Sequence, residues 1–320
     1  MKTILRTFVG CTAILFGTAC MGAVKYVPEN VKVELSLKVP GNNAVNYKLH
    51  PDKLENSYFD YEWRSDNKLP ITVFHKVEER DSCMRLTVQL TAAQDVYFNY
   101  RQLLSTGYRH DNCQFYMPGF WYRRNLRSPK KAPSFHTSDS WLVREDRLSA
   151  PLTGIFSEKE KRFMTVNRLD DFSMDALATH KEGEIILSGK TSLGFTGFEN
   201  QQGIAMLSFG FPYREAPKSY IRKLTLAPEV EAFQLMKKGE SVLLTWEIME
   251  SGADDFSDFI QHTWEHCYDT YAPKPVENSY SIADMKQVLS CFFVNSLVDY
   301  QPRVYNSGIH LKVSDCERNG

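Results

Sequence analysis

Strict alternation of apolar and polar side chains marks the first clear element of this chain. Val31, Val33, Leu35, Leu37 and Val39 are interleaved with Lys32, Glu34, Ser36 and Lys38, and the run ends at Pro40 and Gly41. Period two is the spacing of a strand with one face in the core. Comparable runs fall at residues 71–77, 84–90, 96–100, 162–166, 184–188, 204–209, 221–226 and 242–248, separated by turn-forming residues. No long stretch of period 3.6 interrupts them. The pattern predicts a mainly β fold, a large antiparallel β-sandwich over residues 24–250, rather than a parallel α/β sheet.

Beyond residue 250 the period changes. Residues 254–271 place Phe256, Phe259, Ile260, Thr263, Trp264, Cys267, Tyr268 and Tyr271 at helical spacing, with Asp254 and Asp255 where the helix dipole favours acids. A Pro-containing linker follows, so residues 251–280 read as a linker helix and its tail. Ser281 and Asp284 form a capping box opening a second helix that carries Ile282, Met285, Val288, Leu289, Phe292, Phe293 and Leu297, and that stops before Pro302. Residues 301–320 hold no completed element. The expectation is a sandwich followed by a short α-helical segment, with 281–320 as the first helix of an incomplete helical domain.

The N-terminus adds a leader. Lys2 and Arg6 precede an apolar run over residues 8–16, and Gly17, Thr18, Ala19, Gly22 and Ala23 follow. This is the layout of a secretory signal peptide over residues 1–23, too short to stay in a bilayer as a span. Two processing routes remain open. One cleaves after Ala23. The other treats residues 17–20 as a loose lipoprotein box with Cys20 lipidated, although the usual branched aliphatic residue three positions before it is missing. The chain is therefore expected to be exported, to the periplasm or the outer cell surface, with membrane contact only through lipid on Cys20.

Composition narrows the partners. The 320 residues are 24% charged and 42% hydrophobic, with a formal net charge of −1. That balance argues against general nucleic-acid binding, which needs a basic domain. Of the seven cysteines, Cys83 and Cys113 are a candidate disulfide; buried thiols in a large core are the plainer reading. No cysteine pair has metal-site spacing, and no motif calls for a cofactor.

Two blocks carry the candidate chemistry. The first contains Pro118, Gly119, Phe120, Trp121, Tyr122, Arg123, Arg124, Asn125 and Arg127; the second contains Trp141, Arg144, Glu145, Asp146, Arg147 and Ser149. From Trp121 to Arg147 there are seven Lys or Arg against three Asp or Glu, so the positive field is local. Flat rings stack on apolar sugar faces, and guanidinium forks grip carboxylates or sulfates in two-point contacts. The competing reading packs Trp121 and Trp141 in the core and sets residues 144–147 as an internal salt-bridge lattice. His262, Glu265 and His266 match the H-x-x-E-H spacing of inverted zinc peptidases, but the helical wheel turns them towards solvent and few residues remain for a third ligand. No spacing selects a pair of catalytic carboxylates.

The order of parts, with residues 118–125, residues 141–149, Pro151, Thr153 and residues 281–300, resembles the N-terminal region of secreted bacterial polysaccharide-degrading enzymes. Those carry a galactose-mutarotase-like β-supersandwich followed by an (α/α) toroid, as in six-hairpin glycosidases and polysaccharide lyases. The resemblance implies a carbohydrate-active protein whose partner is an oligo- or polysaccharide, anionic in character. Trp121, Tyr122 and Trp141 would stack on it, and Arg123, Arg124, Arg127 and Arg144 would grip its charges. Most of the toroid is missing, so no catalytic residue carries over. The alternative is a non-catalytic surface lipoprotein that binds glycan or protein.

Overall fold

A computed structural model describes residues 26–53, 60–80, 83–127, 132–171, 173–217, 220–222, 225–226, 229–274, 280–295, 297–298 and 304–305. The leader, Cys20, part of the Pro-containing linker and residues 306–320 lie outside the described residues. The chain divides into two compact units, Met1–Asp269 and Thr270–Gly320.

The first unit is a β-sandwich. One run of strands goes in the order Val45–Lys53, Val31–Lys38, Val96–Arg109, Ile204–Phe211, Phe195–Gln201 and Trp141–Arg144, all antiparallel. The other starts from the same strand, Val45–Lys53, and continues through Asp60–Arg64, Ile71–Glu79, Cys83–Ala92, Ser241–Gly252, Arg162–Arg168, Leu152–Ser157, Cys113–Met117 and Trp121–Arg123. Residues 45–49 pair into one layer and 50–53 into the other, so a single strand joins the two sheets. A parallel pair, Gly183–Ile186 with Val230–Met236, flanks the first layer.

One apolar cluster fills the space between the layers. Val33, Leu35, Phe98, Tyr100, Leu207 and Phe209 from one side meet Val73, Leu86, Val88, Leu90, Trp246 and Ile248 from the other. Trp246 lies 5.1 Å from Phe209 and 6.3 Å from Tyr100, centroid to centroid, so the faces interlock. The alternation read at residues 31–39 is the alternation of burial over 31–35, with Val33 and Leu35 inside and Lys32 outside; beyond it Ser36 is buried and Val39 exposed.

Several strands carry no period-two signal, and the structure explains why. All six residues of Leu152–Ser157 are buried, because the outer face of this strand is covered as well. The cover is helix α1, Phe256–Tyr271, whose Phe259 stacks on Phe156 at 5.9 Å and meets Phe163 at 4.9 Å. Gly154 permits that approach: a Cβ there would come within 2.6 Å of the Phe259 ring. Asp255 caps α1 by accepting from the backbone N–H groups of Ser257 and Asp258, and these bonds lower its pKa. Trp264 and Tyr268, expected on the packed stripe, are instead exposed.

In the second unit, α2 spans Ile282–Asn295 and opens with the expected reciprocal cap between Ser281 and Asp284. It ends before Leu297, where a two-residue strand begins and pairs with Val304–Tyr305. Ile282, Val288 and Leu289 are exposed on it. The Cys83–Cys113 pair is corrected: both thiols are free, and Cys113 donates to the Arg109 carbonyl instead.

Candidate functional site

The two sequence blocks form the last strands of the two layers, facing each other across the core. Gly119, at φ +78°, turns the chain after Met117, and the strand Trp121–Arg123 folds back on Cys113–Met117 with Met117 opposite Trp121. Trp141–Arg144 closes the other layer against Phe195–Gln201. The two indoles meet at 5.6 Å between these strands, with Phe198 5.1 Å from Trp121.

Both rings are 0% exposed. The expectation that Trp121 and Trp141 offer a stacking surface is thus corrected. Each indole N–H is already satisfied internally, by the carbonyl of Arg123 at 2.8 Å and by that of Ser138 at 2.9 Å. The physical reason is the open end of the sandwich. Two terminal strands leave a gap there that large flat side chains close, and their single polar atom finds a backbone acceptor.

Arg144 is corrected as well. Its guanidinium is held by Asp146 at 2.7 Å and Asp175 at 3.0 Å and lies 4.3 Å above the Tyr213 ring. Burial works against its charge, yet the hydrogen bonds and attraction of the two acids raise its pKa above the usual arginine value. Arg147 pairs with Glu215, and the fully buried Glu145 accepts from Arg168 at 2.9 Å and from the Gly194 N–H at 2.8 Å. Burial pushes the Glu145 carboxyl up, and Arg168 opposes that shift. The second block is a salt-bridge lattice, as the competing reading had it, but Asp175, Glu215 and Arg168 from elsewhere in the chain complete it.

The first block behaves differently. Tyr122, Arg123, Arg124 and Arg127 come together around a cleft of about 830 Å³, with Gln114, Asn125, Leu126 and Glu158. Alternation on the short strand sends Tyr122 outward, and it is 51% exposed. Arg123 and Asn125 adopt left-handed backbone angles, φ 56° and 50°. Asn125 tolerates that geometry by bonding locally: its Oδ1 accepts from the Tyr122 N–H, and its Nδ2 donates to the carbonyls of Phe120 and Pro133. Arg123 has no such compensation, so its conformation costs about 1 kcal/mol.

Among the described residues, no acid lies within ion-pair distance of Arg123, Arg124 or Arg127. Arg123 rests 5.3 Å from the Phe256 ring. Arg124 lies 5.1 Å over Phe135 and donates to the backbone carbonyls of Cys113 and Asp111, which orient it without cancelling its charge. Glu158 is the acid among the lining residues and accepts from Gln114. Sequence reasoning missed Gln114 and Glu158. Only the pairing of Cys113–Met117 with Leu152–Ser157 brings them to the cleft.

Further aromatic side chains pack beside it, of which Tyr116 is buried and Trp264 exposed. Tyr116 lies 5.3 Å from Tyr122 and its hydroxyl accepts from Trp264 Nε1, whose indole is 41% exposed on α1. A second cleft, about 460 Å³, is lined by Arg101, Arg214 and several glutamates. There Arg101 pairs with Glu34 and Glu199, Arg214 with Glu231, Lys38 with Glu184 and Arg147 with Glu215.

Fold and site define the class as a β-sandwich protein with a cationic, partly aromatic cleft beside the last strand of one sheet. No protein-family model matches the chain, and no curated protein matches it by sequence. Among solved structures 18 chains match. A polysaccharide lyase aligns over 73% of this chain and 27% of its own, with 14% identity and a TM-score of 0.34. A protein described as a kojibiose phosphorylase, from the human microbiome, aligns over 83% of this chain and 28% of its own, with 7% identity and a TM-score of 0.29. The chain therefore spans under a third of the length of each.

Proposed function

We propose that this chain is the sandwich portion of an exported carbohydrate-active protein, of the galactose-mutarotase-like type, and that it holds an anionic glycan in the cleft of Tyr122, Arg123, Arg124 and Arg127. The leader at residues 1–23, with or without lipid on Cys20, would deliver it to the periplasm or the cell surface. In a larger glycoside hydrolase or polysaccharide lyase, the sandwich would position the chain that other parts cleave.

One observation carries the reading: three guanidinium groups share a cleft with an exposed tyrosine and face no ion-pairing acid among the described residues. Carboxylate or sulfate groups would complete the charge, and the Tyr122 ring would pack on a sugar face. Strain at Arg123 fits a backbone held for binding rather than for packing. The second cleft offers less, because its arginines are already matched by glutamates.

Titration calorimetry with neutral, uronic and sulfated oligosaccharides tests this. Uronic or sulfated members should bind, neutral ones should not, and affinity should fall with added salt. The double substitution Arg123→Ala with Arg127→Ala should weaken binding about tenfold or more. Indifference of the chain to every anionic oligosaccharide, or full affinity in the double variant, would overturn the reading.

A further inference from the structure

Helix α1 delivers to the sheets one side chain that apolar packing does not account for. His266, placed by its sequence motif on the solvent side, turns inward, and its Nε2 lies 2.6 Å from Glu247 Oε1. Glu247 sits on Ser241–Gly252 and is 5% exposed. The neighbouring strand, Cys83–Ala92, starts at Cys83, opposite Met249 in the register. The Cys83 Sγ, a Glu247 carboxylate oxygen and a ring nitrogen of His266 all lie within 4.8 Å of one another.

We propose that Cys83, Glu247 and His266 form a binding site for a borderline-soft divalent metal ion of the zinc type, with water completing a four-coordinate shell. Thiolate, imidazole and carboxylate are the donor types such an ion takes, and it holds donor atoms about 3–4 Å apart. Small side-chain rotations reach that spacing, the His266–Glu247 contact opening as the ion enters. Arg85 stands 3.9 Å from the far oxygen of Glu247, where it would orient the carboxylate from behind.

A nucleophilic role for the thiol fits less well. Burial, reinforced by the Glu247 charge, pushes Cys83 up to about 12, so without an ion it stays protonated. The thiol and His266 both bond the Glu247 carboxylate, so the three donors already converge on one point. The three donors come from two strands and α1, and the ion would clamp the helix to the sheet beside the Phe256 and Phe259 contacts.

This is not the H-x-x-E-H arrangement. His262 is half-exposed and its Nε2 lies 3.4 Å from Asp258, while Glu265 accepts from Gln261. The two histidines of the motif part ways, and only the second points to the donor cluster.

Cobalt(II) titration of the metal-free full chain is the test. The unsubstituted protein should take up one equivalent, show a thiolate-to-cobalt charge-transfer band in the near ultraviolet, and lose that band when zinc displaces cobalt. Cys83→Ser should abolish the band, His266→Gln should weaken cobalt binding by more than the roughly 10- to 100-fold that loss of an outer-shell partner costs, and His262→Ala should change neither. A saturated unsubstituted protein without the band would overturn the site, and this reading needs no variant to fold. So would a band that survives Cys83→Ser or disappears in His262→Ala.

Discussion

The two Trp/Arg blocks resemble each other in sequence and differ in what surrounds them. Each places an indole in the core at the end of one layer, and each continues into arginines. In the second block every arginine meets an acid: Arg144 has Asp146 and Asp175, and Arg147 has Glu215. In the first, Arg123 and Arg124 meet rings and backbone carbonyls instead, and Arg127 lines the same cleft. The lesson concerns charge. An arginine-rich stretch is structural or receptive according to whether the fold brings carboxylates to it, and those carboxylates come from 30 or more residues away at Asp175 and Glu215.

Breaking the shared part of the comparison should cost most. Trp121→Ala and Trp141→Ala should each destabilise by about 3–5 kcal/mol in urea unfolding, since both empty a closed core. Similar losses confirm that the indoles do the same job; a silent Trp121→Ala would reinstate it as a surface ring. Arg168→Ala should cost about 3–5 kcal/mol by leaving Glu145 buried and unpaired.

Acid should act next, through a group that neither block contains. His75 is fully buried between the hydroxyls of Tyr26 and Tyr100, both at 2.9 Å, and burial lowers its pKa to about 3. The native chain keeps His75 neutral while the unfolded chain takes up a proton below about pH 6.5, so its contribution is present at neutral pH and is lost as pH falls. Stability should decline by about 1.4 kcal/mol per pH unit from this group between those values. Guanidinium groups do not titrate there, so Arg123→Ala with Arg127→Ala should leave this acid slope unchanged. Urea unfolding at pH 7 and pH 5, with and without His75→Gln, measures it.

The smallest effect separates the blocks most directly. Arg144→Ala should cost about 1 kcal/mol, because two acids and a tyrosine ring lose their partner. Arg127→Ala should leave stability within about 0.5 kcal/mol. Equal losses on thermal unfolding would erase the distinction between a lattice and an open cleft.

Legibility followed the strength of the local signal. Residues 31–35 announce a strand because one face is buried and the other more open to solvent. Leu152–Ser157 does not, because α1 covers its second face. Residues 254–271 gave a helix, yet periodicity could not say that His266 turns in while Trp264 and Tyr268 stay out. Of the seven proposed contact residues, four share a cleft and three are internal. Local spacing offered Arg144 one partner, Asp146 two residues on, and offered Arg127 none; the second acid on Arg144, Asp175, arrives only through tertiary pairing.

Sequence alone determined that the chain is mainly β with two late helices, where the Ser281 cap lies, and that cationic and aromatic residues concentrate between 116 and 149. These follow from contacts a few residues apart, which leave a periodic or compositional trace. Only the tertiary structure decided which indoles are core, which arginines are neutralised, and that Cys83, Glu247 and His266 converge. Those outcomes depend on strands and a helix far apart in the chain meeting in space, and no local pattern encodes that meeting.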